Sequence, residues 1–291
     1  TGDKMSISNE SILKDISSLE EYLVATRRYL HENPELSGKE FKTSNFLKDE
    51  VKKLNLPLVE VEGTGFYAIL DTGKPGKTLG LRTDIDALPI VEKESNQKSM
   101  ILCKSNVDGV FHACGHDGHM ATLLGAMKVL VAHKDNLRGK IIFIFEEGEE
   151  TGCGIDKMVD ALKKENLDAV YGEHLAAFLP TGKIALDGGP VMAGNGIVDF
   201  TVRGKGGHGS RPDLSISPIF AATNIINGLS SAWVNRVDVR KTVTLGLGLI
   251  NGGKIANVIP DEVRVAGTLR YFDTDEGKKA LDLVKKVGSL T

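Results

Sequence analysis

The chain has 291 residues, of which 41% are hydrophobic and 26% are charged, and its formal net charge is −3. This composition is that of an ordinary water-soluble globular protein with one large domain or two smaller ones. The near-neutral charge offers no electrostatic surface for nucleic acid or an anionic membrane, and no apolar run reaches membrane-spanning length. Three cysteines are too few for a disulfide framework, so we expect a reducing, cytoplasmic location.

The first part of the chain has the pattern of amphipathic helices. Apolar residues recur at helical spacing over residues 12–32 and again over residues 39–54. The dipeptide Asn33-Pro34 between them predicts a break. His31 stands just before this break, and we interpret it as a helix-end histidine rather than a ligand.

From Leu58 onward the pattern changes to strands and turns. The runs at 66–70 and 78–82 are short and β-like. Asp84 and Asp86 follow the second run directly, at the end of a strand where sites form in open α/β sheets. We predict that Asp84 orients a ligand or the catalytic machinery, and we interpret Asp86, taken alone, as a turn-capping residue.

The stretch HACGHDGH at 112–119 concentrates metal-binding side chains in a turn-prone segment. Its thiol and imidazoles suit zinc, and they also fit manganese, cobalt or nickel. The alternatives are a polar loop with incidental histidines and a disulfide or redox cysteine. We favour a metal site because FEEGEETG at 145–152 and the pair Glu173-His174 also follow predicted strands.

Strand and helix patterns alternate through this region. A helix is predicted over 118–132 and another over roughly 155–165, and each is followed by a strand, at 140–145 and 168–172. The continuous apolar run of the first of these strands favours a position covered on both faces. We therefore predict an α/β domain with a mostly parallel sheet flanked by helices and a site at the carboxyl edge of the strands. The mixed-polarity stretch 92–111 is expected to form a flap.

The adjacent carboxylates Glu149 and Glu150 can take separate roles because neighbouring side chains diverge. One can bind a metal, while the other can take a proton from a metal-activated water and pass it to a leaving nitrogen. The alternative is a solvated acidic loop, which is the usual reading of a charge run.

The last hundred residues have a different organisation. Strand patterns at 197–204, 243–250 and 262–272 alternate with helical patterns at 217–232 and 275–287. The order strand–helix–strand–strand–helix is that of a ferredoxin-like α+β unit lacking its last strand. We predict a catalytic domain over residues 1–191 and this second domain over residues 192–291.

The motifs together resemble those of the metallopeptidase-20 family. Within it they are most similar to the amidohydrolase branch of hippurate hydrolases, N-acyl-amino-acid amidohydrolases and plant auxin-conjugate hydrolases, for which the cysteine-containing HACGHDGH form is specific. The matching motifs are RRYLHENPELSGKE at 27–40, GLRTDIDALPI at 80–90, HACGHDGHMA at 112–121, EEGEETG at 146–152, GEH at 172–174, GKGGHGSRP at 204–212 and NVIPDEVRVAGTLRYF at 257–272.

The resemblance implies a metal-dependent hydrolase that cleaves the amide of an N-acyl amino acid or a similar small conjugate. Two divalent ions, zinc, manganese, cobalt or nickel, would share a bridging water, with Glu149 as general base and Asp84 in a supporting role. The implied metal ligands are Cys114, His116, Glu150 and His174. The family commonly has FQPAEEG where this chain has FEEGEETG, so Glu146-Glu147 is a second candidate pair. The spacing from the preceding strand favours Glu149-Glu150.

The resemblance also implies that the second domain is an inserted lid through which two copies dimerise. His208 would reach the partner's active site and stabilise the oxyanion, and Asn257 and Arg270 would hold the substrate's carboxylate. In the relatives the catalytic domain resumes after the lid and supplies a last histidine ligand. We therefore expect a truncated chain whose last ligand lies beyond residue 291.

Other functions stay open on the sequence. A dipeptidase or aminopeptidase of the same family would share these motifs, and a non-catalytic binding protein would keep the lid but lose the metals. A cysteine-nucleophile hydrolase would use Cys114 with a nearby histidine. The acyl group, the amino acid and the native metal are not determined by the sequence.

Overall fold

The computed structural model describes residues 9–95, 103–186 and 188–290, which form two compact units divided between Thr181 and Gly182. Residues 96–102 of the expected flap lie outside the described part. Among the helices described, none is both long enough and apolar enough to cross a membrane.

Three helices of the first unit pack their apolar faces onto one side of its sheet, whereas the helix over residues 155–162 packs onto the other side. The segment predicted as one helix over 12–32 is two helices, with the break at Leu19. Leu30, Leu47 and Leu124 are among the buried residues that join these helices into one core. The helices are α1 (Asn9–Ser18), α2 (Glu20–Glu32), α3 (Phe41–Lys53), α4 (His116–Ala132) and α5 (Ile155–Leu162).

The sheet of the first unit is mixed, because one of its five strands runs against the other four; the expectation of a mostly parallel sheet therefore holds for four strands and fails for one. Its strand order is β1-β2-β4-β3-β5; β3 is parallel to β4 and β5, whereas β2 is antiparallel to β1 and β4. The strands are β1 (Leu58–Glu60), β2 (Phe66–Asp71), β3 (Thr78–Asp84), β4 (Lys140–Glu146) and β5 (Ala169–Gly172). Only residues 72–77 separate β2 from β3. Because a parallel connection needs about a dozen residues or more, this turn forces the chain to reverse.

Strand β4 is covered on both faces, as its continuous apolar run predicts. Phe143 and Phe145 belong to the core formed with α2, α3 and α4, and Phe145 stacks on Phe66 with ring centroids 4.4 Å apart. Ile142 and Ile144 face the other way, into a cluster with Met158 of α5. Burying each of these side chains stabilises the fold by about 1.5–3 kcal/mol.

The three parallel strands bring their carboxyl ends to one edge. Asp84 at the end of β3 is in register with Glu146 at the end of β4, and Arg82 is in register with Gly172 at the end of β5. The turns that follow β3, β4 and β5 therefore meet in space, and α4 begins at the same edge. This convergence was predicted from the alternation of strands and polar turns.

The second unit has the predicted order strand–helix–strand–strand–helix. Its antiparallel sheet has the order β6-β10-β8, and buried residues such as Val198, Leu269 and Val284 pack between the sheet and the helices. A separate two-stranded ribbon of β7 and β9 was not predicted. The elements are β6 (Gly194–Arg203), β7 (Gly207–His208), α6 (Pro218–Arg236), β8 (Val243–Asn251), β9 (Val258–Ile259), β10 (Glu262–Tyr271) and α7 (Thr274–Leu290).

Candidate metal centre

His116 is the first residue of α4 and is fully buried. Gly115 before it has φ +88°, a left-handed conformation that disfavours any side chain, and a Cβ there would also crowd Leu175. The Nδ1 atom of His116 lies 2.9 Å from the backbone oxygen of Asp86 and 3.1 Å from its carboxylate, so Nδ1–H is the donor. In the neutral ring the Nε2 atom carries a lone pair, and it has no hydrogen-bond partner among the described residues.

Cys114 and His174 meet beside this atom. The Nδ1–H of His174 donates to the backbone oxygen of Leu175 at 2.7 Å, which leaves a lone pair on Nε2. That atom faces the Sγ of Cys114 at 3.3 Å and accepts its thiol proton. Burial, and next the negative charge of Glu150, raise the pKa of Cys114 to about 12. The thiol is therefore neutral in this state, and a bound cation would be needed to favour the thiolate.

Glu149 and Glu150 occupy a short turn after β4. Gly148, at φ +60°, opens the turn, and its N–H donates to Glu40 Oε1 at 2.9 Å. Glu150 Oε1 lies 3.7 Å from His116 Nε2, and Glu149 Oε2 lies 3.9 Å from the same atom. Glu150 Oε1 is buried and, in the described part of the chain, has no hydrogen-bond partner. Burial and the nearby charge of Asp84 raise the pKa of Glu149.

The donor atoms in this region fit a divalent metal. Those of Cys114, His116 and His174 all lie within 4.8 Å of one another, as do those of His116, Glu149 and Glu150. Metal bonds of about 2.0–2.3 Å at tetrahedral angles separate neighbouring donors by about 3.3–3.8 Å. The separations of 3.3 Å and 3.7 Å given above fall in this range. A thiol, imidazoles and carboxylates suit zinc and its neighbours in the first transition series.

Asp84 supports the centre from beneath. Its Oδ1 accepts a hydrogen bond from His119 Nδ1 at 2.8 Å, and its Oδ2 accepts one from Arg82 at 2.9 Å. Burial acts to raise the pKa of Asp84, but His119, His116 and Arg82 together hold it below the ordinary value. His119 Nε2 accepts the N–H of Leu175 at 2.8 Å, so both nitrogens of His119 are engaged and neither is free for a metal.

Asp86 has a larger role than the turn-capping one the sequence suggested. Its carboxylate is fully buried and receives hydrogen bonds from His116 Nδ1, from Ser37 Oγ at 2.7 Å and from the backbone N–H of Glu150 at 3.1 Å. It therefore links the loop after α2, the first turn of α4 and the turn after β4. No signal in the sequence indicated this role, because the partners of Asp86 come from segments far along the chain.

The two glutamate pairs after β4 have different surroundings. Glu146 is buried and accepts from Arg82 Nε at 2.8 Å. Glu147 is also buried and accepts from the backbone N–H groups of Thr64 and Gly65 and from Lys157. The carboxylates of Glu146 and Glu147 are thus already hydrogen-bonded to other groups, whereas those of Glu149 and Glu150 lie near His116 Nε2. The geometry thus favours the glutamate pair that the strand spacing favoured.

In the second unit, the β7–β9 ribbon brings two of the predicted residues together. His208 is in register with Val258, and the N–H of Gly209 donates to the backbone oxygen of Asn257 at 2.8 Å. His208 is exposed, and its Nδ1 accepts hydrogen bonds from the N–H and hydroxyl of Ser210 at 3.2 and 2.8 Å. Its Nε2–H is therefore a donor. Arg270 lies elsewhere, exposed on β10 between β6 and β8.

Comparisons with known proteins agree with these features. The chain is 37% identical over 284 residues to thermostable carboxypeptidase 2 of Saccharolobus solfataricus, covering 96% of this chain and 71% of that protein. It is 37% identical over 274 residues to N-acetyl-L-cysteine deacetylase of Bacillus subtilis, covering 94% and 65% of the two chains. It is 35% identical over 269 residues to N-acyl-L-amino acid amidohydrolase of Geobacillus stearothermophilus, covering 92% and 71%.

A solved structure of a metal-binding peptidase also matches this chain. A Bacillus subtilis protein described as a dinuclear metal-binding peptidase from the M20 family matches with a TM-score of 0.77 and 30% identity, over 94% of this chain and 70% of that one. Residues 80–272, more than half of the chain, match the model of peptidase family M20/M25/M40. The chain therefore belongs to peptidase family M20/M25/M40.

Proposed function

We propose that this protein is a metal-dependent hydrolase that cleaves the amide bond of N-acyl amino acids. The observation that carries the proposal is a pair of buried acceptor atoms, His116 Nε2 and Glu150 Oε1, 3.7 Å apart and without hydrogen-bond partners in the described part. Buried polar atoms are costly to leave unpaired, and a cation would satisfy both. The printed names of the deacetylase and amidohydrolase relatives support the substrate class.

The ligands in this proposal are Cys114, His116, Glu150 and His174, which would contribute to holding two divalent ions per site, zinc, manganese, cobalt or nickel. The dinuclear relative supports the number of ions. When bound, the ions supply a Lewis acid for the amide carbonyl and lower the pKa of a water. Asp86 holds His116 in the tautomer that presents Nε2, and the backbone oxygen of Leu175 does the same for His174.

Glu149 is the general base in this mechanism. Its carboxylate stands beside the donor atoms yet keeps contact with solvent, because 41% of its side chain is exposed. It takes the proton from the attacking water, holds it while the carbon–nitrogen bond breaks, and passes it to the departing amine. Asp84 and Arg82 form an ion pair next to the site. In this mechanism they contribute fixed charges and do not transfer a proton.

The second unit acts as a lid in this proposal. The Nε2–H of His208 donates to the oxyanion that forms on the substrate's carbonyl, and it does so in the partner chain of a homodimer. Asn257 and Arg270 bind the substrate's carboxylate. The tautomer of His208 supports this role, because Ser210 occupies Nδ1 and leaves a donor on the exposed nitrogen.

The edge strand β8 is where we propose that two copies meet. It contains no charged residue, and Leu249 and Ile250 are 39% and 61% exposed. The opposite edge strand, β6, carries Asp199, which is paired with Arg264. Charged side chains protect edge strands from pairing, so β8 is the edge better suited to join a second copy. A two-fold axis would pair β8 with itself.

The experiment that tests the function measures amine release from N-acetyl amino acids after the metals are removed and then restored. We expect chelation to abolish turnover and zinc, manganese, cobalt or nickel to restore it. Glu149→Gln should lower turnover by about 10²–10⁴ while still binding cobalt. Activity that survives chelation but is lost on alkylation of Cys114 would instead indicate a cysteine nucleophile.

A peptidase is the second candidate, because the thermostable carboxypeptidase relative is as similar as the deacetylase. The same assay with unblocked dipeptides and N-blocked dipeptides separates the two. Faster turnover of the N-acetyl amino acid supports the proposal. Faster turnover of either peptide contradicts it.

A further inference from the structure

His31, at the end of α2, is a buried histidine between two carboxylates that come from different elements. Its Nδ1 lies 2.8 Å from Asp117 Oδ2 in the first turn of α4, and its Nε2 lies 2.9 Å from Glu92 Oε1 in the segment after β3. The side chains of His31, Asp117 and Glu92 are 5%, 2% and 9% exposed. Among the described residues, Arg27 of α2 and His112 of the turn before α4 are the other titratable groups that face the ring.

A neutral ring does not satisfy both contacts. Neutral imidazole has one N–H, so one carboxylate would face a lone pair. Arg27 Nη2 lies 3.2 Å from Nδ1 and could donate to a neutral ring, but the 2.8 Å contact between Nδ1 and Asp117 would then contain no proton. Arg27 instead pairs with Asp117 through its Nε, also at 2.8 Å. Burial acts to lower the pKa of His31, but its hydrogen bonds with Asp117 and Glu92 raise it overall.

The contacts of His31 extend to the candidate ligands through two short paths. Asp117 follows His116 directly and caps its own turn, since its Oδ1 accepts the N–H of Gly118 at 2.9 Å. Glu92 Oε2 accepts the N–H of Ser105 at 2.7 Å, which joins the two described parts of the segment that leads to Cys114. Asp86 contacts this turn through His116, and His31 contacts it through Asp117.

We propose that His31 is a positioning residue whose doubly protonated ring ties the first turn of α4 and the segment around Glu92 to the end of α2, and so fixes Cys114 and His116 for metal binding. This role rests on the proposed function, but its structural part concerns the chain alone. His31 acts through Asp117 and Glu92, and it takes no part in the chemical step.

The test compares His31→Gln with a matched control, His133→Gln, at the C-terminal end of α4. His133 also pairs with an aspartate, Asp15, at 2.6 Å. Glutamine can donate to one carboxylate but leaves the other unpaired in a buried place. We expect hydrogen exchange of residues 111–119 in the metal-free protein to become faster in His31→Gln and to stay unchanged in His133→Gln. Cobalt affinity should fall by about tenfold, the lower end of the range for residues that orient ligands, only in His31→Gln.

A second variant, Glu92→Gln, tests the charge of the ring. By nitrogen-15 NMR at about pH 7.5, both ring nitrogens of His31 should be protonated in the wild-type protein. In Glu92→Gln the new amide can donate to Nε2, so the ring can be neutral, and its pKa should move toward the ordinary value of about 6.5. Loss of packing alone would not produce this shift.

The outcomes separate this proposal from the proposed function. Unchanged exchange over residues 111–119 in His31→Gln, or a neutral His31 in the wild-type protein at about pH 7.5, would overturn the positioning role even if the enzyme is a metal-dependent hydrolase. Absence of cobalt binding by the wild-type protein would instead overturn the proposed function and the metal-binding part of this role. If His31→Gln shows faster hydrogen exchange but binds cobalt as tightly as His133→Gln, His31 stabilises the local fold only. That result would reject its effect on the metal site.

Discussion

The two candidate functional regions of this chain differ in how firmly the chain itself holds their side chains. At the carboxyl edge of the five-stranded sheet, His116 and Asp86 are buried, and each is fixed by hydrogen bonds to the other and to neighbouring turns. In the β7–β9 ribbon, His208 and Asn257 are exposed, and within the described residues the side chain of His208 is hydrogen-bonded to its neighbour Ser210 alone. The side chains of the first region are held in place by the protein itself. Those of the second region are exposed and available to hydrogen-bond another molecule.

The difference predicts that substitutions in the ribbon change turnover without changing stability. We expect His208→Ala to lower turnover by about 10²–10³, the effect of removing one oxyanion donor. Its free energy of unfolding should change by less than about 0.5 kcal/mol, because the side chain is exposed. Arg264→Ala, an exposed change in the same unit, is the control for turnover. Urea unfolding and steady-state kinetics measure the two quantities.

A mixed dimer shows whether His208 acts on the partner's site. If His208→Ala and Glu149→Gln chains are combined, action in trans places both defects in one site and leaves the other intact. The mixed dimers should then recover up to about half of the wild-type activity. A lack of recovery after verified subunit exchange would contradict action in trans.

At the sheet edge, removing the shared acceptor should weaken metal binding. Asp86→Ala deprives His116, Ser37 and the Glu150 N–H of their partner, so we expect metal affinity to fall by about 10–100-fold. Competition with a chelator measures this. Asp71→Ala, at the far end of β2, is the control. Equal affinities in the two variants would show that Asp86 does not orient the ligands.

Glu147 sharpens the comparison between the two glutamate pairs. Because its buried carboxylate accepts the backbone N–H groups of Thr64 and Gly65, Glu147→Ala should lower the free energy of unfolding by about 1–2 kcal/mol. Glu60→Ala, at an exposed surface pair, should have a much smaller effect. Urea denaturation of both variants decides this. A Glu147→Ala protein as stable as Glu60→Ala would show that the carboxylate is dispensable to the turn.

The smallest expected effect concerns pH. The pKa of His31 is higher in the folded protein than its ordinary value, so the stability it contributes is fully present below about pH 6.5 and is lost as pH rises through the folded pKa. The difference in unfolding free energy between wild type and His31→Gln should therefore shrink toward alkaline pH. Urea titrations over a pH series measure it, and a difference that grows with pH would contradict the assignment.

Much of the fold could be read from local patterns. The helix ending at Ala132 and the apolar strand ending at Glu146 were predicted within two residues, because helical spacing and a continuous apolar run are local properties. The pairing of β2 was not predicted, because β4 lies between β2 and β3 in the sheet and β4 is distant from both in the sequence.

The sequence by itself determined which side chains gather at the sheet edge. Cys114, Glu150 and His174 belong to turns at one edge of the first unit, and parallel strands necessarily bring their carboxyl ends together. Only the tertiary structure decided which nearby charged side chains form hydrogen bonds that position the candidate ligands. Asp86 and His31 acquired their partners from segments far along the chain, and the spacing of residues carries no record of such pairings. A motif therefore specifies the candidate metal-binding groups, while the packing of distant segments specifies the hydrogen bonds that orient them.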